Sequence, residues 1–317
     1  MAIAVSNAFN TSPAYSGNFI PQLWSGKLNA KFYASTVFGE IANTSYEGEI
    51  KSMGDQVRIN NIPSITINTY TVGQNLNYEV PAPSVVDLTI DKAKYFGVNV
   101  SDVLEYQSKP NLMSMFTDDA SKQMSIAIDT EVLKAQFNNG AAANKGATAG
   151  VKSSAFNVGT DSAPVVLSAT NVLPLITAFS SILDEQNVPD TDRFMVITPY
   201  FRNILMASPL AQAYVTGDNQ SILRNGKIGT IDRFTLYVSN LLPTAAAGQD
   251  FNGVAQGGAL KRTAIIAGHK TALTFAAQIA KVEHMPNPND FGTLVRGLNV
   301  YGHKMIKPEA WTLGLVA

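Results

Sequence analysis

No cysteine occurs anywhere in the 317 residues. Disulfides, thiolate catalysis and cysteine-held zinc or iron–sulfur centres are excluded with it, so stability has to come from packing, hydrogen bonds and assembly. Charge is scarce too. Asp, Glu, Lys and Arg make up 15% of the chain, against a usual share of about 25%. Beside 45% hydrophobic residues, that leaves less solvated surface than a free monomer normally carries, and extensive subunit contact is one explanation. A cationic excess is missing as well. The 23 Lys and Arg face 24 Asp and Glu, a formal net charge of -1, which argues against whole-domain attraction to nucleic acid.

No run of 18 or more apolar residues appears, so neither a transmembrane helix nor a membrane partner is expected. The opening residues lack the cationic start and long apolar run of a signal peptide, and the expectation is a soluble protein made in a cytoplasm. Histidine is rare. No two of His269, His284 and His303 stand at i, i+3 or i+4, which favours surface or locally bonded rings over a metal site.

What the chain does have is hydrophobic pattern, changing period along its length. Residues 1 to 20 carry no charged side chain and read as an extended arm. Leu23, Val37 and Ile41 lie at roughly helical spacing and predict one or two short helices after Pro21. The period then becomes two. Val57, Ile59, Ile65 and Ile67 form one run, and Val86, Leu88 and Ile90 a second. The polar stretch "TYTVGQNLNYEVPAPS" joins them into a long hairpin. An isolated two-stranded ribbon is marginal in water, so this one should rest on something else.

From Pro110 to Asn138 the period is helical again, with Phe116, Ala120, Met124, Ala127, Val132 and Ala135 as the apolar stripe. A helix over 110–138 would be about 40 Å long, a structural spine. Residues 139 to 165, rich in Ala, Gly and Ser, read as a partly mobile loop. A helix carrying Val172, Ile176, Phe179 and Leu183 follows, then a buried strand at 193–199 and a short helix after Pro199. Phe234 to Val238 reads as a strand after a Gly-bounded turn. The stretch from Arg262 begins with a buried strand and continues as alternating or helical apolar residues.

Tests for chemistry fail locally. "SILRNGKI" (221–228) lacks the first glycine and the final hydroxyl of a phosphate loop, and a β-turn is the better reading. "PDTDR" (189–193) lacks the rest of a calcium loop; it reads as a turn in which Arg193 supplies a countercharge. Asp118 and Asp119 are adjacent on a helix and point apart, so they make no acid–base pair. Lys92 and Lys94 flank Tyr95, with Asp87 and Asp91 alongside to offset them. No catalytic residue, cofactor or metal is expected.

Three phrases, "FIPQLWSGKLNAKFYASTVFGEIANTSYEGEIKSMGDQVRI" (19–59), "NGKIGTIDRFTLYVSN" (225–240) and "AIIAGHKTALTFAAQIAKVEHMPNPNDFGTLVRGLNVYGHKMIKPEA" (264–310), resemble one family in this order of elements. That family is the major capsid proteins of tailed double-stranded DNA bacteriophages, whose α+β fold is named after bacteriophage Hong Kong 97. The resemblance implies an N-terminal arm at 1–45 and an extended hairpin, the E-loop, at 46–100. It implies a peripheral domain at 101–199 with the spine helix at 110–138, an axial domain at 200–265, and peripheral-domain sheet to the C-terminus at 266–317. It implies a shell-building, non-enzymatic protein of the virion. Its partners would be itself in hexamers and pentamers, scaffolding, portal and cement proteins, and enclosed DNA held by non-specific contact.

An arm and a hairpin without footing in their own subunit would bury apolar surface on neighbours, at about 25 cal/mol per Å². The contact candidates are Trp24 and Phe32 in the arm, and Tyr70 and Tyr78 in the hairpin. Glu47, Glu49, Lys51, Asp55 and Arg58 are candidates for setting register between subunits. The ribbon 291–306, with Arg296, His303 and Lys304 along it and Lys307 just beyond, reads as a sheet strand bent at Gly297 and Gly302. A compartment shell of the encapsulin type and a soluble enzyme with a dispersed site are the competing readings.

Overall fold

The segments of period two sort into three sheets, and the segments of period 3.6 lie on two of them. The computed structural model describes residues 33–34, 36–45, 56–61, 63, 65–76, 78–82, 84–101, 112–208, 230–255, 260–288 and 291–317.

One sheet forms the larger core. Its strands run β11 (Trp311–Val316), β8 (Arg262–His269), β4 (Arg193–Ile197), β6 (Phe234–Val238) and β5 (Thr230–Ile231), with β7 (Thr244–Ala245) beside β8. Only β4 and β6 among these pair in parallel. Every residue of β4 is buried, which is why its sequence is continuously apolar after Arg193. Helix α3 (Val172–Glu185) lays its predicted stripe on this sheet; Val172, Ile176, Phe179 and Leu183 are all 0% exposed. A Cβ at position 314 would stand 2.4 Å from the Phe179 ring, so Gly314 lets the helix settle on β11. The short helix α4 (Pro199–Met206) is capped by Thr198, whose hydroxyl accepts the Phe201 N–H at 3.2 Å.

Arg193 is buried at the end of α3 and needs several acceptors. Its guanidinium donates to Asp184 at 2.7 Å, to the Val188 carbonyl at 2.7 Å and to the Pro189 carbonyl at 2.8 Å. The turn with an arginine countercharge read from "PDTDR" is thus present. The loop read at 139–165 is tied down at Asn144. Asn144 is fully buried there, donating to the carbonyls of Glu309 (2.6 Å) and Trp311 (3.0 Å) and accepting from Gln186 (2.8 Å). Small residues in this segment serve close approach: a Cβ at position 140 would meet the Trp311 carbonyl at 2.7 Å.

The second sheet has the order β3 (Lys92–Ser101), β10 (Gly292–Met305), β9 (Leu273–Pro286), antiparallel throughout. The predicted strand at 291–306 is its centre. Residues 92–100, expected within the hairpin, pair with β10. Helix α2 (Leu112–Gln136) covers one face. Its buried stripe is Ile128, Val132 and Leu133, whereas Phe116, Ala127 and Ala135 of the predicted stripe are exposed. Glu131 ties the helix down, taking Lys92 at 3.2 Å, Lys94 at 2.6 Å and the Tyr301 hydroxyl at 2.9 Å. These lysines are therefore answered by Glu131 and not by Asp87, which pairs with Arg58 at 3.2 Å. Glu131 is only lightly buried, and its three donors outweigh its desolvation, holding the carboxyl down at about 2.

The third sheet is the pair β1 (Gln56–Asn61) and β2 (Ser84–Thr89). It packs on the opposite face from α2: Ile59, Leu88 and Ile90 cluster with Ala276, Val300 and Ile306. The expected bending at Gly297 and Gly302 is replaced by close contact. Added Cβ atoms would stand 2.2 Å from the Phe96 ring and 2.2 Å from the Thr89 carbonyl. The irregularity in β10 is a register shift between Val300 and Tyr301.

Candidate subunit interface

Beyond the β1–β2 pair, nothing among the described residues covers the chain. Pro63, Pro81 and Pro83 flank the segment and lack the N–H that a ladder needs. Ile65 and Ile67, expected to continue the strand, are not in one, and they are 63% and 90% exposed. Val72 is 96% exposed and Val80 92%. Gly73, at φ 91°, turns the tip, and the Gln74 N–H donates to the Thr71 carbonyl at 3.1 Å. Glu79, the one charged residue between 62 and 82, accepts the Thr66 N–H at 3.1 Å and links the two legs. Among the described residues this ribbon has no core of its own, and its apolar side chains stand exposed between polar ones.

Tyr70 and Tyr78 lie on that ribbon, exposed. Arg58 is at its root with a largely exposed guanidinium, so its bond to Asp87 is a surface ion pair of small worth. Trp24, Phe32, Glu47, Glu49, Lys51 and Asp55 lie outside the described residues, as do the loop reading at 221–228 and the part of the short helices predicted over 21–43 that precedes residue 33.

The last part of the arm is not free. Helix α1 (Phe38–Ile41) is a single turn; Val37 and Ile41 join the main core, and Asn43 exchanges backbone bonds with β9 through Leu273 (2.8 Å) and Phe275 (3.0 Å). Asp129 of α2, fully buried, accepts the Val37 N–H at 2.9 Å. Burial pushes its carboxyl up to about 6, against the pull of the Val37 and Phe38 N–H groups. Tyr33 donates to Asp119 at 2.8 Å, and the Lys122 ammonium sits 4.7 Å over its ring. The expectation that arm and hairpin find no footing in their own subunit is corrected at both roots.

Among the described residues, the outer face of the second sheet past the hairpin root is also uncovered. Tyr95 (83%) and Leu298 (39%) are exposed across from each other. Beside them Glu283 is bound by Lys281 and by Arg296, the latter at 2.6 Å, and both cations hold its carboxyl below the ordinary range. Arg296 of the ribbon thus faces a carboxylate within the subunit.

Among the described residues no three His, Asp or Glu side chains gather as metal ligands. His269 and His303 are buried, bonded to Thr271 and Gln136, and His284 is exposed. No helix among them is long and apolar enough to cross a membrane. Sequence reasoning missed Asp129 and Gln136; polar residues at i+1 and i+8 from Ile128, on a stripe shared with Val132, were the available signal.

A family model described as phage capsid protein matches residues 85–312. The structure is similar to a solved chain of Mycobacterium phage Che8, with 25% identity, TM-score 0.73, and 96% of this chain and 98% of that one covered. It is similar to the capsid structure of Cyanophage P-SCSP1u, with 16% identity, TM-score 0.67, and 94% and 93% covered. It is similar to the bacteriophage PhiM1 mature capsid, with 17% identity, TM-score 0.66, and 93% and 91% covered. No curated protein matches the sequence.

Proposed function

Since this chain belongs to the phage capsid protein family, we propose that it is the major shell subunit of a tailed bacteriophage. Many copies form hexamers and pentamers that close into an icosahedral head around double-stranded DNA. Its place is the virion, and its work is structural and not catalytic. Residues 1–45 serve as arm, the segment from 46 through β2 as the E-loop, 101–199 and 266–317 as the peripheral domain, and 200–265 as the axial domain. Assembly takes place in the bacterial cytoplasm, with scaffolding, portal and cement proteins as further partners.

The observation that carries this reading is the ribbon at 65–80, whose Ile65, Ile67, Val72 and Val80 are exposed. Fully burying one Val or Ile is worth about 1.5–3 kcal/mol, and no described residue of this subunit supplies that burial. A ribbon seated on a different surface of the next subunit makes a head-to-tail contact, which gives rings when the rotation between subunits closes. Tyr70 and Tyr78 add amphipathic anchors to that contact, and Arg58 sets its register. Trp24 and Phe32 do the same for the arm, while Glu47, Glu49, Lys51 and Asp55 contribute charge pairing at the hairpin base.

The test is electron microscopy of the expressed full chain beside a variant carrying Ile67→Asp, Val72→Asp and Val80→Asp. Wild type is expected to give closed particles. The variant should stay as folded, unassembled subunits, with unchanged far-ultraviolet circular dichroism. Particles formed equally well by the variant would refute the role given to the ribbon.

A further inference from the structure

Two bonds set the course of the chain that enters the fold at residue 33. Tyr33 donates to Asp119 at 2.8 Å, and the Val37 N–H donates to Asp129 at 2.9 Å. The helix rises 1.5 Å per residue, which puts about 15 Å between those two positions on α2. The four steps from Tyr33 to Val37 cover nearly that distance only when the chain is extended. The arm root therefore runs beside α2, in the same direction as the helix. Traced backwards from Tyr33 it heads for the helix start at Leu112. About 10 Å of helix remains there, which is room for about three more extended residues.

The helix face ahead of it is charged. Asp118, Lys122 and Asp129 stand at i, i+4 and i+11, so they share the stripe on which the root already lies. Lys122 is engaged with the Tyr33 ring, its ammonium 4.7 Å from the centroid. Asp118 is exposed and enters no ion pair among the described residues. This turn carries the carboxylates of Asp118 and Asp119 against the one ammonium of Lys122, a balance that favours a further cation. The residues next in line are Lys31 and Phe32. In extended chain Lys31 shares the side of Tyr33, and Phe32 has the other.

We propose that residues 30–32 continue along α2 of their own subunit, with the Lys31 ammonium on the carboxylates of Asp118 and Asp119. Three things support this occupant: continuity with the seated root, the length of helix left to cover, and opposite charge. Phe32 then faces away from the helix, toward an adjoining molecule, and the arm departs from its subunit only before residue 30. The contact is internal, so it does not rest on the shell reading.

Zero-length carbodiimide coupling of the full chain tests it, because that reagent joins an amine only to a carboxylate it touches. In the unassembled subunit, an amide between Lys31 and Asp118 or Asp119 is expected in the peptide masses. Particles grown from mixed light and heavy-isotope subunits should give that product within one isotope only. Asp118→Lys, at an exposed position, should speed tryptic cleavage after Lys31 about threefold without moving the unfolding curve. Three results would each overturn the proposal: no such amide, light–heavy products that assign the segment to a neighbour's helix, or cleavage unchanged by Asp118→Lys.

Discussion

The root and the tip of the hairpin are built from the same kinds of residue and meet opposite fates. At the root, Leu88 is 0% exposed and Ile59 9%, on Ala276 and Val300 of the second sheet. At the tip, Val72 and Val80 are almost fully exposed. β-Branched side chains favour a pleated surface only when something packs against it, and the difference lies in the partner, not in the local sequence. The segment from Val37 to Asn43 is anchored like the hairpin root, between α2 and β9.

The widest gap between root and tip should appear in subunit stability. Leu88→Ala is expected to cost about 2–5 kcal/mol in denaturant unfolding of the unassembled subunit. Val72→Ala should stay within about 0.5 kcal/mol there. Equal costs at the two positions would mean that the tip is covered within its own subunit.

At the arm root the lever is pH. The Asp129 carboxyl is raised from its unfolded value near 3.8 to about 6, so the folded state holds the proton more tightly. Stability from this group is fully present below pH 3.8 and is lost as pH rises through about 6. Relative to Asp129→Asn, which cannot titrate, wild type should lose roughly 2 kcal/mol across that window. Melting temperatures of the two proteins from pH 4 to pH 7 measure it. Parallel curves would remove Asp129 from the arm's attachment.

The smallest effect is expected for Arg58→Ala. Its bond to Asp87 is exposed, so subunit stability should change by less than about 0.5 kcal/mol. If Arg58 sets register between subunits, particle yield should fall while unfolding does not move, and light scattering against unfolding curves separates the two.

Much of the fold was legible because burial and period coincide. The stripe Val172, Ile176, Phe179 and Leu183, the wholly buried strand after Arg193 and the strand at 291–306 all follow that rule. Period misled where cover was missing. Ile65 and Ile67 alternate as strand residues do, yet no neighbouring strand pairs them. On α2, Phe116 and Ala127 fit the helical stripe, but only its later turns reach the core. At the candidate interface, the exposure of Tyr70 and Tyr78 depends on what lies beside them, which spacing does not encode. Asp129, Glu131 and His303 looked like ordinary surface or strand charges, because their partners come from segments far away in the chain. Gly297 and Gly302 look the same in sequence whether they bend a strand or admit a neighbour.

The four residues Leu273 to Phe275 and Ala276 at the start of β9 carry both attachments. Asn43 is stitched to Leu273 and Phe275, and the hairpin root rests on Ala276. Tension applied to either extension by an adjoining molecule is thus delivered to the same short span. A tug on one is felt at the anchorage of the other, and subunits linked this way would share mechanical load around a ring.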